Sequence, residues 1–236
     1  ILSSMPVGDY DRRVGILSRE LGKIAAFAKG ARRPNSHLIG VTRPFIFGTF
    51  EVYRGRDSYT IQKANVTNYF EELVSDLDGV LYGYYFAELA EYYGRENLDA
   101  ADMINLLYVA FKALVNKSLP NELVRYLYEI LLIAVNGECP DFFSCAGCGS
   151  EKELQLYSYK ENGMYCVECA ASSGDGIVLQ SSTLYTLQYI ITAPLTKLFN
   201  FVVKADVLNE LKKVVNRIEF ITFDKHFKSK EMLDIG

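Results

Sequence analysis

Four cysteines restrict this 236-residue chain more than any other feature. Cys145, Cys148, Cys166 and Cys169 stand as C-x2-C-x17-C-x2-C, one of the spacings of a four-cysteine zinc site. Two residues between cysteines let one tight turn aim both sulfurs at a single point. A short hairpin that brings two such turns together completes a tetrahedron of thiolates. Gly147 and Gly149 sit around the first turn, where backbone freedom helps the knuckle form. The spacer ELQLYSYKENGMY reads as strand, turn at Glu161-Asn162-Gly163, strand. Iron also suits four thiolates. Two disulfides would need an oxidising compartment, and a redox CxxC is expected beside a βαβ pattern. A closed four-thiolate site has no position open to water, so Zn2+ here is expected to hold structure rather than catalyse. Cys139 lies outside the paired spacing and reads as a small buried apolar residue.

Half of the chain is hydrophobic and 23% is charged, a globular rather than a disordered composition. No apolar run reaches the length of a membrane span, so no membrane partner is expected. Four of five cysteines in metal spacing suit a reducing cytoplasm. The chain opens at Ile1 without a signal pattern, and a few residues of a first strand are expected to precede it. P-loop, G-x-S-x-G and H-E-x-x-H motifs are absent, and neither His37 nor His226 stands near a metal or nucleophile pattern. An enzyme is therefore not expected.

The net charge of −4 conceals an asymmetry. Residues 1–63 carry 11 Lys+Arg against 5 Asp+Glu, residues 64–140 carry 4 against 12, and residues 141–236 carry 10 against 12. A basic end on an acidic whole points to a polyanionic partner at that end, or to no more than a solvated basic surface.

Residues 1–66 read as a small β-barrel or sandwich. Strands are expected at Arg12–Ser18 and Lys23–Gly30, joined by a turn at Glu20-Leu21-Gly22-Lys23 in which the glycine supplies a positive φ. A polar loop through Arg32-Arg33-Pro34 follows. Then come FIFGTFEVYRG, a turn at Gly55-Arg56-Asp57-Ser58, and a strand over Tyr59–Val66. About five short strands with glycine turns suit a closed barrel. From Tyr69 to Glu91 the apolar spacing turns helical. A second helix opens at Asn97-Leu98-Asp99 and runs to about Val115, and a third starts at Pro120 and ends near Gly137. Beyond the knuckle, Ser181-Ser182-Thr183 is expected to cap a helix to Pro194. Leu195–Phe201 is short and apolar, and Val207–Phe223 is an amphipathic helix that must pack back on the earlier ones.

The basic residues of the first segment, Arg12, Arg13, Lys23, Lys29, Arg32, Arg33, Arg54 and Arg56, fall at turns and strand ends. Such groups neutralise phosphates and release counterions, which makes them candidate DNA-binding residues. Tyr10, Phe27, Tyr53 and Tyr59 are interleaved with them and would stack on bases where exposed, or fill the barrel where not.

This order of parts resembles the RecO family of bacterial recombination mediators. The resemblance rests on Asp9-Tyr10-Asp11-Arg12, Glu20-Leu21-Gly22-Lys23-Ile24, and Ala28-Lys29-Gly30-Ala31-Arg32-Arg33-Pro34. It rests further on Pro140 ahead of Cys145-Ala146-Gly147-Cys148-Gly149, and on Phe220–Ser229 with His226 and Lys230. It covers nearly the whole chain. It implies an α+β fold: an N-terminal oligonucleotide-binding (OB) barrel over 1–66, then an α-helical bundle over 67–140 and 177–236 interrupted by a zinc-finger insertion over 141–176. It implies binding of single- and double-stranded DNA and annealing of complementary strands. It implies partnership with RecR and with the acidic C-terminal tail of the single-stranded DNA-binding protein SSB, and indirectly with RecA, in a bacterial cytoplasm at the nucleoid. An RNA- or ribosome-associated zinc-ribbon protein with an OB fold is the alternative, and preference for RNA over DNA separates the two.

Overall fold

Strands come first and helices after, so the fold is α+β, in the computed structural model that describes residues 1–56, 58–172 and 174–234. Asp57 of the expected turn, Ser173 of the expected insertion, and Ile235 and Gly236 lie outside the described residues. The chain divides into two units, Ile1–Asn116 with Phe227–Gly236, and Lys117–His226.

In the first unit, β1 (Ser3–Val7), β2 (Asp11–Ser18), β3 (Gly22–Ala28), β4 (Phe47–Arg54) and β5 (Tyr59–Asn68) form one sheet in the order β1-β2-β3-β5-β4. All neighbours are antiparallel except β3 and β5, which pair in parallel at Ala26–Tyr59 and Phe27–Thr60. The period of two puts Val14 and Ile16 of β2, Ile24 and Ala26 of β3, and Tyr59 and Ile61 of β5 in one core. At the two outer edges, the Phe45 N–H donates to the Ile1 carbonyl oxygen at 3.0 Å and the Ile1 nitrogen donates to that of Ile46 at 2.6 Å. This is the strand order and edge contact of a partly open five-stranded barrel of OB type. The sequence reading expects a first strand at the start of the chain but gives it no range; it is β1, whose SSMPV carries little apolar patterning.

Gly22 shows why a glycine ends the β2–β3 turn. Its φ is +63°, and a Cβ there would stand 2.0 Å from the Arg95 carbonyl oxygen. The segment at Arg95 and Asn97 docks on this turn. Lys23 N–H donates to Arg95 O at 3.0 Å, and Asn97 N–H donates to Leu21 O at 2.8 Å.

The expected single helix from Tyr69 to Glu91 is two helices, α1 (Glu71–Ser75) and α2 (Leu77–Tyr93). Asp76 between them is extended (φ −96°, ψ 109°), and its carbonyl accepts from Val80 N–H as the first bond of α2. Apolar spacing runs through the break unchanged, so periodicity alone does not register it. The second expected helix is α3 (Ala101–Asn116), opened by Asp99 Oδ1 accepting from Ala101 N–H at 2.7 Å. Phe45, Phe47, Phe70, Tyr108 and Phe111 meet edge to face and pack barrel and helices together. A further helix, α8 (Lys228–Asp234), packs on α2. Phe227 is buried against Tyr85 and Tyr92, and Glu88 Oε2 accepts from Ser229 N–H and Oγ–H. The first unit thus takes in α1, α2, α3 and α8, which the three-part division read from the sequence assigns to the helical bundle.

The second unit packs α4 (Asn121–Val135), α5 (Ser181–Thr192) and α7 (Ala205–Thr222) against one another. The short α6 (Leu195–Leu198) links the last two. α5 has Gln180 at its N-cap with no side-chain cap bond, rather than the expected Ser181-Ser182-Thr183 cap. Glu210 takes that role from α7, accepting from Gln180 N–H and Nε2–H at 3.0 Å each. A buried trio bridges α4 and α7. Arg125 Nε donates to Glu129 at 2.7 Å, and Arg125 Nη2 lies 3.6 Å from Glu219. Between α4 and α5 lies a small sheet of β6 (Leu154–Ser158), β7 (Gly163–Cys166) and β8 (Gly176–Val178), in the order β7-β6-β8. Asn162 takes the positive φ of its first turn (+51°).

Candidate metal centre and nucleic-acid interface

The knuckle is built by local backbone bonds. Cys145 N–H donates to Ser150 O and Gly149 N–H to Cys145 O, both at 2.8 Å, which closes the first turn. Ala146 N–H donates to Met164 O at 2.7 Å and docks that turn on β7. Cys166 ends β7, and Cys169 N–H donates back to Cys166 O at 3.1 Å, closing the second turn. Gly149 has φ +75°. Gly147 is needed for space, because a Cβ there would lie 3.1 Å from Tyr165 and 3.3 Å from the Cys169 sulfur.

The sulfurs of Cys145, Cys148, Cys166 and Cys169 all lie within 4.8 Å of one another. Cys148 and Cys166 Sγ are 3.8 Å apart. A tetrahedron with metal–sulfur bonds of about 2.3 Å has edges of about 3.8 Å, so the donor set fits a four-thiolate metal ion. Burial pushes the Cys145 thiol up, but backbone N–H groups of Cys166, Cys148 and Gly147 outweigh it and hold the group at about 6. Such donors favour the thiolate that a metal needs. Cys139 is half-buried, and burial pushes its thiol up to about 12, as expected of an inert apolar cysteine. Helices α7 and α5 hold the finger. Arg217 Nε of α7 donates to Tyr159 O at 3.0 Å, and Gln188 Nε2 of α5 donates to Phe142 O at 2.9 Å.

The basic candidates divide into groups. Arg12, Lys29, Arg32 and Arg33 gather where the β1–β2 turn meets the chain leaving β3. There Gly30 N–H donates to Asp11 Oδ1 at 2.7 Å, Arg32 N–H donates to Tyr10 O at 2.8 Å, and Arg32 Nη1 donates to Gly8 O at 3.1 Å. The Arg33 guanidinium lies over the Tyr10 ring, 5.1 Å from its centroid. Lys29, Arg32 and Arg33 are exposed and Arg12 is half-buried. The loop is therefore pinned at its backbone by Asp11 and Tyr10, and its exposed guanidiniums rest on the Gly8 carbonyl and the Tyr10 ring.

Arg13 lies on the other face of β2, in a cross-strand row of Met5, Arg13, Phe27, Thr60 and Tyr53. Tyr53 is 65% exposed at one end of that row. Tyr59 fills the core, with its hydroxyl donating to Glu96 at 2.9 Å. Arg54 sits opposite Tyr59 with its guanidinium over that ring, and exposed Arg56 follows in the β4–β5 turn. Lys23 stands apart from all of these. Its Nζ donates to Glu91 O at 2.7 Å, in the last turn of α2, where the helix dipole favours a cation. Charge type alone does not separate this helix-capping lysine from the exposed ones.

Comparison with known proteins gives one consistent result. The family model described as "Recombination protein O N terminal" matches residues 1–70, and "Recombination protein O C terminal" matches residues 74–231. A "DNA repair protein RecO" of Acetivibrio thermocellus is 30% identical over 238 residues, which covers 99% of this chain and 93% of that protein. Proteins of the same name from Oceanobacillus iheyensis and Bacillus subtilis are 28% and 26% identical; each alignment covers 99% of this chain, and 90% and 91% of the relatives.

Proposed function

The chain belongs to the RecO family of DNA repair proteins, and on that premise we propose that it is a non-enzymatic recombination mediator. It binds single- and double-stranded DNA, anneals complementary strands, and acts with RecR to load RecA on single strands coated by SSB, whose acidic tail it also engages. The observation that carries this reading is the pinned basic loop, in which the exposed Arg32 and Arg33 leave a backbone fixed by Tyr10 and Asp11, with the Arg32 guanidinium resting on the Gly8 carbonyl and that of Arg33 on the Tyr10 ring. Arg12, Arg13, Lys29, Arg54 and Arg56 extend the charge across the barrel, and Lys23 adds to its field from the α2 end.

Phosphates that reach these groups lose their counterions, and two strands held on the same basic surface repel each other less. Annealing then needs proximity and neutralisation, with no bond made or broken by the protein. The four thiolates would hold Zn2+, which when bound cross-links the finger. The 1–66 barrel serves as the DNA-binding module, the helices as the partner-binding platform, and 141–176 as the finger. No helix among the described residues is long and apolar enough to cross a membrane. The place of work that this reading implies is the bacterial cytoplasm.

The test is binding of labelled single-stranded DNA across a salt series, beside an RNA of the same sequence. We expect steep salt dependence and no gain for RNA. Combining Arg32→Glu with Arg33→Glu should flatten the slope of log affinity against log salt by about 0.7 for each phosphate no longer neutralised. Unchanged affinity in that variant, or clear preference for RNA, would overturn the reading.

A further inference from the structure

Tyr84 lies outside the basic loop, yet its surroundings lead on from it. It projects from α2 with its ring 4.8 Å from that of Phe45, and it is 46% exposed. One part of the ring is thus fixed by packing and the rest is open. Two cavities meet at this residue, both lined by Tyr84 and Pro44. The first, about 400 Å³, follows the edge strand β1 and has Arg12 and Arg32 on its wall. The second, about 320 Å³, has Arg43 and Tyr69 on its wall, and Tyr69 is 42% exposed. Three guanidiniums therefore flank two half-exposed phenol rings. Glu71, in the second cavity, is the only carboxylate lining either one among the described residues.

We propose that this groove is a path for single-stranded DNA, in which Tyr84 and Tyr69 each stack an unpaired base while Arg12, Arg32 and Arg43 neutralise the phosphates. The proposal rests on the reading that the basic barrel binds DNA, and it deepens that reading by naming where single strands are told from duplexes. Arg12 and Arg32 belong both to the basic loop and to the first cavity, so a strand captured on the loop leads directly into the groove. Each cavity falls in the size range of pockets for one small ligand, about 300–1,000 Å³. The bases of a duplex are already paired and stacked, so they cannot enter a cleft to reach a ring. Any base offers a π-face, so the groove tolerates sequence while requiring an open strand.

The experiment uses the whole chain and labelled oligodeoxynucleotides, single-stranded and duplex. Tyr84→Ala and Tyr69→Ala should each weaken single-strand binding by about 5- to 150-fold, with duplex binding within about twofold of the parent. Tyr84→Phe should retain single-strand binding. Arg43→Ala should reduce the single-strand salt slope by about 0.7. Single strands carrying 5-iodouracil should photo-crosslink to Tyr84 or Tyr69. If Tyr84→Ala disturbs the aromatic cluster, seen as a lower melting temperature, then Tyr69→Ala and the crosslinks decide. Equal losses on duplex and single strand, or crosslinks only elsewhere, would overturn the proposal. If reversal of Arg32 and Arg33 weakens binding but the tyrosine variants do not, the groove falls and the basic-loop reading stands. A chain that binds no DNA at all sinks both.

Discussion

The metal knuckle and the basic loop are assembled in opposite ways. Every ligand of the knuckle comes from two turns closed by their own backbone, so the spacing of four cysteines suffices to bring the sulfurs within 4.8 Å. The basic loop draws on a hairpin turn, a strand end and a connection, and it exists because Arg32 reaches Gly8 and Arg33 reaches Tyr10 across the fold. A site closed by local bonds needs only the right residues at the right intervals. A site gathered by tertiary structure needs the whole barrel to be correct first.

The largest effect expected from this contrast is on the knuckle. Cys166→Ser should lower metal content and melting temperature together. The fall should be roughly 10 °C or more, at about 2–4 °C per kcal/mol, because metal binding is folding energy for such a site. Single-strand binding at low temperature should keep its salt slope, since the basic loop lies in the other unit. Unchanged metal content and melting would break the comparison on one side, and loss of the salt slope would break it on the other.

A smaller effect belongs to the buried trio. Two carboxyls face one guanidinium, so the group is neutral only with one proton retained. Burial first, and repulsion from Glu219 next, push the Glu129 carboxyl from 4.5 up to about 8. Glu129 Oε2 has no hydrogen-bond partner among the described residues. A carboxyl raised in the folded state contributes stability below its unfolded value and loses it as pH climbs through the folded one. The second unit should therefore weaken between about pH 4.5 and pH 8, and Glu129→Gln should flatten that fall and raise the melting temperature at pH 8 by a few degrees. Thermal unfolding at pH 5 and pH 8 reads both, and a steeper fall in the variant would refute the assignment.

The smallest effect tests how far the basic loop depends on the aromatic support of Tyr10. Tyr10→Ala removes the ring beneath Arg33 and should weaken single-strand binding about two- to fivefold, the scale of an exposed cation–π contact. Tyr10→Phe should not. A loss as large as that from reversing Arg32 and Arg33 would mean that Tyr10 itself stacks on a base.

The two assemblies also explain what can be read from the residues alone. The cysteine quartet, its hairpin and Asn162 in the turn are local, and the structure repeats them. The order of strands then helices, and α3, α4 and α7, follow from periodicity. What escapes depends on the partner an element meets rather than on its own residue pattern. β1 is a strand because β2 pairs with it, and β8 because β6 does. Asp76 breaks a helix without breaking its apolar spacing, and Lys23 is committed to a helix end that no count of charges reveals. Arg43 and Tyr84 do not stand out in the sequence, since one lies outside the basic clusters and the other on a helix rich in tyrosine.

The return of the chain to α2 through Phe227 and Ser229 has a consequence for synthesis. The second unit is an insertion within the first, entered at Lys117 and left after His226. A ribosome that has released residue 226 has delivered the whole second unit, metal knuckle included. The first unit at that moment still lacks Phe227, which packs on Tyr85 and Tyr92, and the helix α8 beyond it. Domains usually complete in the order in which they emerge, but here the part begun first finishes last. The unit that carries the basic loop would reach its final packing only after the unit that carries the cysteine quartet has all it needs to fold.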